Sequence, residues 1–165
     1  MKIVDIQCFP LRTDLSRAIG FSQWYYHAKN NFVLKVVCND GTVGWGECYG
    51  PNLAIAASVE HHFKPLLIGK DPLQNEVLWN FMWRAYCDFN RYGIFMAAIS
   101  GIDIALWDIK GKVLNTPVRV LLGGSSDPLP CYATGMYYRD DKPEAEMLTE
   151  LLDEAATYVD AGYTF

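Results

Sequence analysis

The sequence predicts an α+β fold: a three-stranded antiparallel sheet with a helical bundle, followed by the start of a βα series. Three observations lead there. Alternating apolar residues flank an Asp-Gly turn near the N-terminus, a long stripe at helical spacing runs from Ala97, and after Gly124 a single amphipathic helix sits between two extended stretches. Strands followed by helices point to an α+β arrangement, and a strand-helix-strand order points to parallel pairing.

Lys2 to Leu11 alternates and is rich in Ile, Val and Phe, which reads as a first strand, with Pro10 suiting an edge position. Arg12 to Asn31 breaks the pattern. It holds Gly20 and an aromatic cluster of Phe21, Trp24, Tyr25, Tyr26 and His27, and reads as a long connection. Phe32 to Cys38 is a second strand and Thr42 to Cys48 a third. Asn39-Asp40-Gly41 joins them, since Asp-Gly supplies the positive φ a hairpin turn needs. Gly44 and Gly46 do not form a dinucleotide fingerprint, because they lie in a returning strand instead of opening a helix.

Tyr49 to Asn52 is a second irregular segment. Leu53 to Leu67 reads as a helix with Pro65 near its end, and His61 and His62 as solvated residues on it. Leu73 to Tyr86 is another amphipathic helix, bearing Leu78, Trp79, Met82 and Trp83 on its core side. Cys87 to Gly93 is a polar connection.

The clearest helix follows. Ile99, Ile102, Leu106, Ile109 and Val113 recur at steps of three and four, with Ala98 and Ala105 beside them. Gly101 sits inside this helix at a cost of roughly 1 kcal/mol against alanine, so a neighbouring element is expected to press on the backbone there. Asp108 and Lys112 form an i,i+4 pair, and Asp103, near Ser100 and Lys110, reads as a hydrogen-bonded structural acid. Asn115 and Pro117 end the helix, and Val118 to Leu122 make one more turn, stopped by Gly123 and Gly124. Pro128 to Tyr138 reads as extended. Lys142 to Ala161 is a helix with Met147, Leu148, Leu151, Leu152, Ala155 and Val159 facing inward and Gly162 as its cap; Tyr163 to Phe165 begins another extended segment. The expected domains are 1–124 and 125–165.

Composition excludes several functions. A net charge of −5 with no basic run argues against nucleic acid, and no apolar run is long enough to span a membrane. The N-terminus lacks the form of a signal peptide. Five cysteines, an odd number without CxxC spacing, suit reduced thiols and a cytoplasmic protein. The three histidines belong to no zinc motif.

Four segments, GTVGWGE, LLIGKDP, SGIDIALWDIKGK and PVRVLLGG, occur in an order and spacing that resemble the mandelate racemase/muconate lactonizing enzyme family of the enolase superfamily. CNDGTVGWGECYGP, SGIDIALWDIKGK and CYATG further resemble a sugar-acid lactone cycloisomerase subgroup, the galactarolactone cycloisomerase type. The resemblance implies an enolase N-terminal-like capping domain over 1–124 and, over 125–165, the first βα unit of a truncated (β/α) barrel. A complete barrel takes about 250 residues.

It also implies a reaction. Mg²⁺, held by barrel carboxylates, stabilises the enediolate formed when a base removes the proton α to the carboxylate of a small sugar acid or related hydroxy acid. Racemisation, dehydration or cycloisomerisation then follows. The resemblance places a Lys-x-Lys pair, the metal carboxylates and the base beyond Phe165, so this chain carries no catalytic residue or metal ligand and is expected to be inactive alone. The intact enzyme is expected to be a homo-oligomer. The capping share that carries over is two loops, Asp14 to Asn31 and Tyr49 to Leu53, which cover the substrate. They offer Trp24, Tyr25, Tyr26, His27, Tyr49 and Asn52, while Thr134 and Tyr137 fall near the end of the first barrel strand. Glu47 reads as a structural hydrogen-bonding residue.

Two other readings compete: a non-catalytic binding or scaffold module of the same fold, and a small α+β enzyme acting through Cys48 or Cys131. The extended start at Tyr163 opposes the first, and the lack of a recognisably placed histidine opposes the second.

Overall fold

A computed structural model describes residues 1–89, 92–124 and 126–163. The sheet runs in the order β1 (Ile3–Phe21), β2 (Trp24–Cys38), β3 (Val43–Cys48). β2 and β3 pair antiparallel with Leu34 opposite Gly46 and Val36 opposite Gly44. Their turn is the expected one: Gly41 takes φ +86° and the Asp40 carboxylate accepts the Thr42 N–H at 3.1 Å. Along β2, Phe32, Leu34, Val36 and Cys38 are buried and their neighbours only partly so, the alternation of a sheet with one covered face.

The helices are α1 (Asn52–Ser58), α2 (Lys64–Leu67), α3 (Asn75–Ala85), α4 (Ile94–Val113), α5 (Val118–Leu121) and α6 (Glu144–Asp160). The stretch expected as one helix from Leu53 to Leu67 is α1 and α2 joined through a π-helical turn at Val59–Phe63. Pro65, which donates no N–H, falls just after that widened turn. No helix among the described residues is long and apolar enough to cross a membrane.

The chain divides into two compact units, residues 1–12 with 30–125 and residues 13–29 with 126–165. In the first, α4 lies against β3 and the sheet supplies Ile3, Ile6, Phe32, Leu34 and Val36 to a core completed by Phe63, Leu67, Met82, Ile99, Ile102, Leu106 and Ile109. Val113, expected in the apolar stripe, is 40% exposed. It is the last residue of α4, and the chain turns away through Asn115 at φ +47°. Gly101 does meet a neighbouring element: a Cβ there would collide with Cys48 Sγ and sit 3.2 Å from the Glu47 carbonyl oxygen. His62, expected in solvent, packs its ring 5.1 Å from Tyr86 and 5.2 Å from Phe95.

The second unit corrects the reading of Arg12 to Asn31. That stretch is the distal part of β1 and β2, a hairpin arm turning at Ser22. Its buried positions are Ala18, Gly20 and Ala28. Pro128 to Tyr138, expected as a strand, makes a single antiparallel bridge, Tyr138 with Gly20, closed by two N–H···O bonds of 2.8 Å. α6 ends as predicted, with Gly162 at φ +92°. Only Leu151 of its predicted inner face is buried; Met147 and Ala155 are partly covered, while Leu148, Leu152 and Val159 are exposed. The extended start at Tyr163 to Phe165 falls in part on Thr164 and Phe165, outside the described residues; Tyr163 itself is in no strand.

Candidate functional site

Trp24, Tyr25, Tyr26 and His27 are the first four residues of β2, at the far end of the arm, and all are exposed, Trp24 by 70%. Two features hold this tip. Tyr26 stacks on Phe21 at 5.3 Å, and the Tyr25 ring lies over Gly20, close enough that a Cβ on Gly20 would come within 2.7 Å of it. Gly20 therefore serves both the ring and the bridge to Tyr138. His27 Nε2 lies 3.6 Å from Asp140 Oδ2.

The segment that meets the tip carries Thr134 and Tyr137. It is fixed on α6 through Glu154, whose Oε1 accepts the Met136 N–H at 3.2 Å and the Tyr158 hydroxyl. That second bond raises the Tyr158 pKa, because a phenol donating to a carboxylate gives up its proton less readily. Gly135 lies directly beneath, where a Cβ would collide with Tyr158 and Glu154.

Beside this segment is a cavity of about 340 Å³, lined by Arg17 and Ala18 from the arm, by Tyr137 and Arg139, and by Met147, Glu150, Leu151 and Glu154 of α6. Its charges are arranged in pairs. Arg139 donates to both oxygens of Asp141, at 2.9 and 2.7 Å, and to Glu150 at 3.3 Å. Lys142 donates to the other Glu150 oxygen. Asp141, through Arg139, and Glu150, through Lys142, are held below the ordinary carboxylate range. Both are ionised acceptors, and of these paired groups Arg139 and Glu150 bring opposite charges to the cavity wall.

Tyr49 and Asn52 belong to the first unit. Tyr49 is 95% exposed. Asn52 opens α1, and its amide nitrogen donates to the carbonyls of Leu11 at 2.9 Å and Asn31 at 3.2 Å. Glu47 accepts the Asn31 side-chain amide at 2.8 Å, a structural hydrogen bond. Asp103 is raised in pKa by burial, an effect partly offset by a hydrogen bond from Trp107. Cys48 is buried, and desolvation pushes its thiol up to about 12, which leaves it without the thiolate a nucleophile needs.

The sequence thus brings Tyr25 and the Thr134–Tyr137 segment to one unit. It did not single out Arg17, Arg139, Glu150 or Glu154. Arg17 was hidden because its stretch carries small residues on the buried side of the strand, which leaves no hydrophobic alternation to see. Among the described residues no group of three or more His, Cys, Asp or Glu is placed to hold a metal ion. The described residues thus offer no carboxylate set that fits Mg²⁺.

Residues 12–123 match the model of the mandelate racemase / muconate lactonizing enzyme N-terminal domain. The chain is 39% identical over 142 residues to the D-galactarolactone cycloisomerase of Agrobacterium fabrum, covering 86% of this chain and 37% of that protein. It is 38% identical over 158 residues to the arabinonate dehydratase of Saccharolobus solfataricus, covering 94% of this chain and 41% of that one. The crystal structure of the 3,6-anhydro-D-galactonate cycloisomerase from Zobellia galactanivorans superposes with a TM-score of 0.81 at 39% identity, over 99% of this chain and 41% of that chain. The chain therefore spans well under half the length of these relatives.

Proposed function

Because the chain belongs to the mandelate racemase/muconate lactonizing enzyme family of the enolase superfamily, through its N-terminal domain, we propose that it supplies the substrate-covering part of an enzyme acting on a sugar acid or its lactone. The reaction is removal of the proton α to a carboxylate, leading to dehydration, cycloisomerisation or racemisation. Residues 1–124 are the capping domain and 125–165 the first βα unit of a barrel. Mg²⁺, when bound by residues outside this chain, supplies charge stabilisation to the developing enediolate. These 165 residues alone are inactive. The protein is cytoplasmic, consistent with five unpaired cysteines, and homo-oligomeric when intact.

The observation that carries the reading is the Gly20–Tyr138 bridge. It sets the exposed aromatics of the arm beside the segment bearing Thr134 and Tyr137. Trp24, Tyr25, Tyr26 and His27 offer apolar faces with polar edges, which exclude water and hydrogen-bond a polyhydroxylated acid. Tyr49 and Asn52 are assigned to the second covering segment.

The test joins this chain to the barrel of the Agrobacterium fabrum cycloisomerase and assays sugar acids and lactones with and without Mg²⁺. The chimera is expected to turn over substrate only with Mg²⁺. W24A and Y25A are expected to change relative kcat/KM among substrates about tenfold, the scale of one lost binding contact. Turnover by the 165 residues alone, or a chimera whose selectivity ignores the arm, would overturn the proposal.

A further inference from the structure

We propose that Asn52 is a positioning residue that ties the two substrate-covering segments together at the base of the arm. The inference rests on the functional reading above for what those segments cover, but its geometry is independent of it.

Leu11 and Asn31 are the places where β1 and β2 leave the first compact unit: that unit ends at Arg12 on β1 and resumes at Asn30 on β2. The Asn52 amide nitrogen donates one hydrogen to each of their carbonyls, at 2.9 and 3.2 Å. Both partners can only accept, so the amide orientation is fixed by chemistry. Each partner is also backbone, 41 and 21 residues away in sequence, so the contact clips the two strands of the arm to each other and to the first turn of α1.

The other end of the amide sharpens the argument. Asn52 Oδ1 is buried and has no hydrogen-bond partner among the described residues. An acceptor without a donor is unfavourable. The side chain is therefore held here by its nitrogen. A further bond extends the clip, since Asn31 donates its side-chain amide to Glu47 at 2.8 Å, just before the Tyr49–Leu53 segment. Within the first unit, Leu11, Asn31 and the Tyr49–Leu53 segment are thus joined through one side chain. The sequence suggested Asn52 for contact with substrate; the clip assigns it to setting the base from which the arm reaches.

Amide hydrogen exchange of the full chain, read by mass spectrometry, tests this without any substrate. Two variants are compared, N52A, which deletes the clip, and N52D, nearly isosteric, which sets a carboxylate against two carbonyl oxygens. Both are expected to raise exchange about tenfold in residues 13–29, with less than twofold change in the Val33–Val37 ladder and in α4, because losing two hydrogen bonds at the base lowers only the local opening energy. E47Q, which retains an acceptor for Asn31, is expected to leave exchange of the arm unchanged. No rise in the arm, or a uniform rise that includes the ladder and α4, overturns the proposal. In the chimera, N52D is expected to raise KM about tenfold with kcat largely kept. A loosened arm with unchanged KM would leave the clip standing and defeat the covering role instead.

Discussion

Gly46 of β3 and Gly101 of α4 face each other backbone to backbone. A Cβ on Gly46 would collide with the Gly101 carbonyl oxygen, and one on Gly101 with Cys48 Sγ. Gly44 repeats the relation one pleat along, where a Cβ would meet the Ala105 carbonyl and come within 2.7 Å of Ile109 Cγ1. At Gly44 and Gly46 the strand presents only hydrogens to the helix, which settles there at a distance no side chain allows, while Cys48 completes the covered face opposite Gly101. Asp108 fastens the same contact, accepting the Trp45 N–H at 2.9 Å while Lys112 donates to the Val43 carbonyl at 2.9 Å.

G46A is expected to destabilise by about 1–3 kcal/mol, the range for overpacking a well-packed core, and to fall at its upper end because the neighbour is backbone. G101A carries a gain in helix propensity of roughly 1 kcal/mol, yet it is expected to destabilise as well, because Cys48 stands in the way. The two differ in rescue. C48A removes the obstacle that the new methyl of G101A meets and should recover part of the loss. It does nothing for G46A, whose obstacle is backbone. Urea unfolding of the single and double variants reads both effects.

The Asp40-Gly41 turn, the alternation of β2 and the stripe of α4 are local patterns, so each was legible in the sequence. Gly101 was legible as an anomaly, a glycine where a helix disfavours one. The arm was not, because Ala18, Gly20 and Ala28 are its buried positions and small residues leave no period-2 signal. Nor were the partners of Asn52 and Glu154. The two Asn52 bonds and the Met136–Glu154 bond are set by tertiary approach over 18 residues or more, which no spacing rule encodes.

Thiol reactivity should sort the five cysteines by burial. Cys38 and Cys48 are buried and Cys8 partly so, and desolvation raises all three thiols, Cys8 and Cys48 to about 12. Cys87 and Cys131 are exposed. Native protein treated with a chromogenic disulfide at pH 8 is expected to release two equivalents of thiolate quickly and the remaining three only on unfolding. A fast third equivalent that persists in C8A would contradict the burial of Cys38 or Cys48.

Asp103 predicts a pH dependence of defined sign. Burial raises its native pKa above that of the unfolded chain, about 3.9 for an ordinary aspartate. Between those two values the native state holds more protons than the unfolded one, so the group's contribution to stability is lost as pH rises through that window. D103N removes the ionisation while keeping an oxygen to accept from Trp107. It is expected to be neutral or stabilising at pH 7 and to lose that advantage below about pH 4. Urea melts of both proteins from pH 3.5 to 7.5 test it; a D103N that is less stable at neutral pH than at acid pH, relative to the parent, would reverse the sign.

The outer face of α6 yields the last expectation. Leu148 is 49% exposed, Leu152 70% and Val159 69%. Leu148 and Leu152 are one helical turn apart, and Val159 follows seven residues later, so the three share a stripe. The covered side of the helix is meanwhile anchored by Leu151, by Glu154 and by the bonds of Glu150 to Arg139 and Lys142. A bare apolar stripe beside an ordered face should bind a hydrophobic dye and promote association. L152K and V159K are expected to lower dye fluorescence and light scattering, with changes in stability near 0.5 kcal/mol, since surface substitutions away from packed features cost little. Substitution of Leu151, which is 8% exposed, should do the opposite: L151A opens the cavity wall, loses about 2–3 kcal/mol of packing and increases dye binding. If L152K destabilised as much as L151A, the stripe would be covered in solution, and a self-associated form would be detectable by sedimentation.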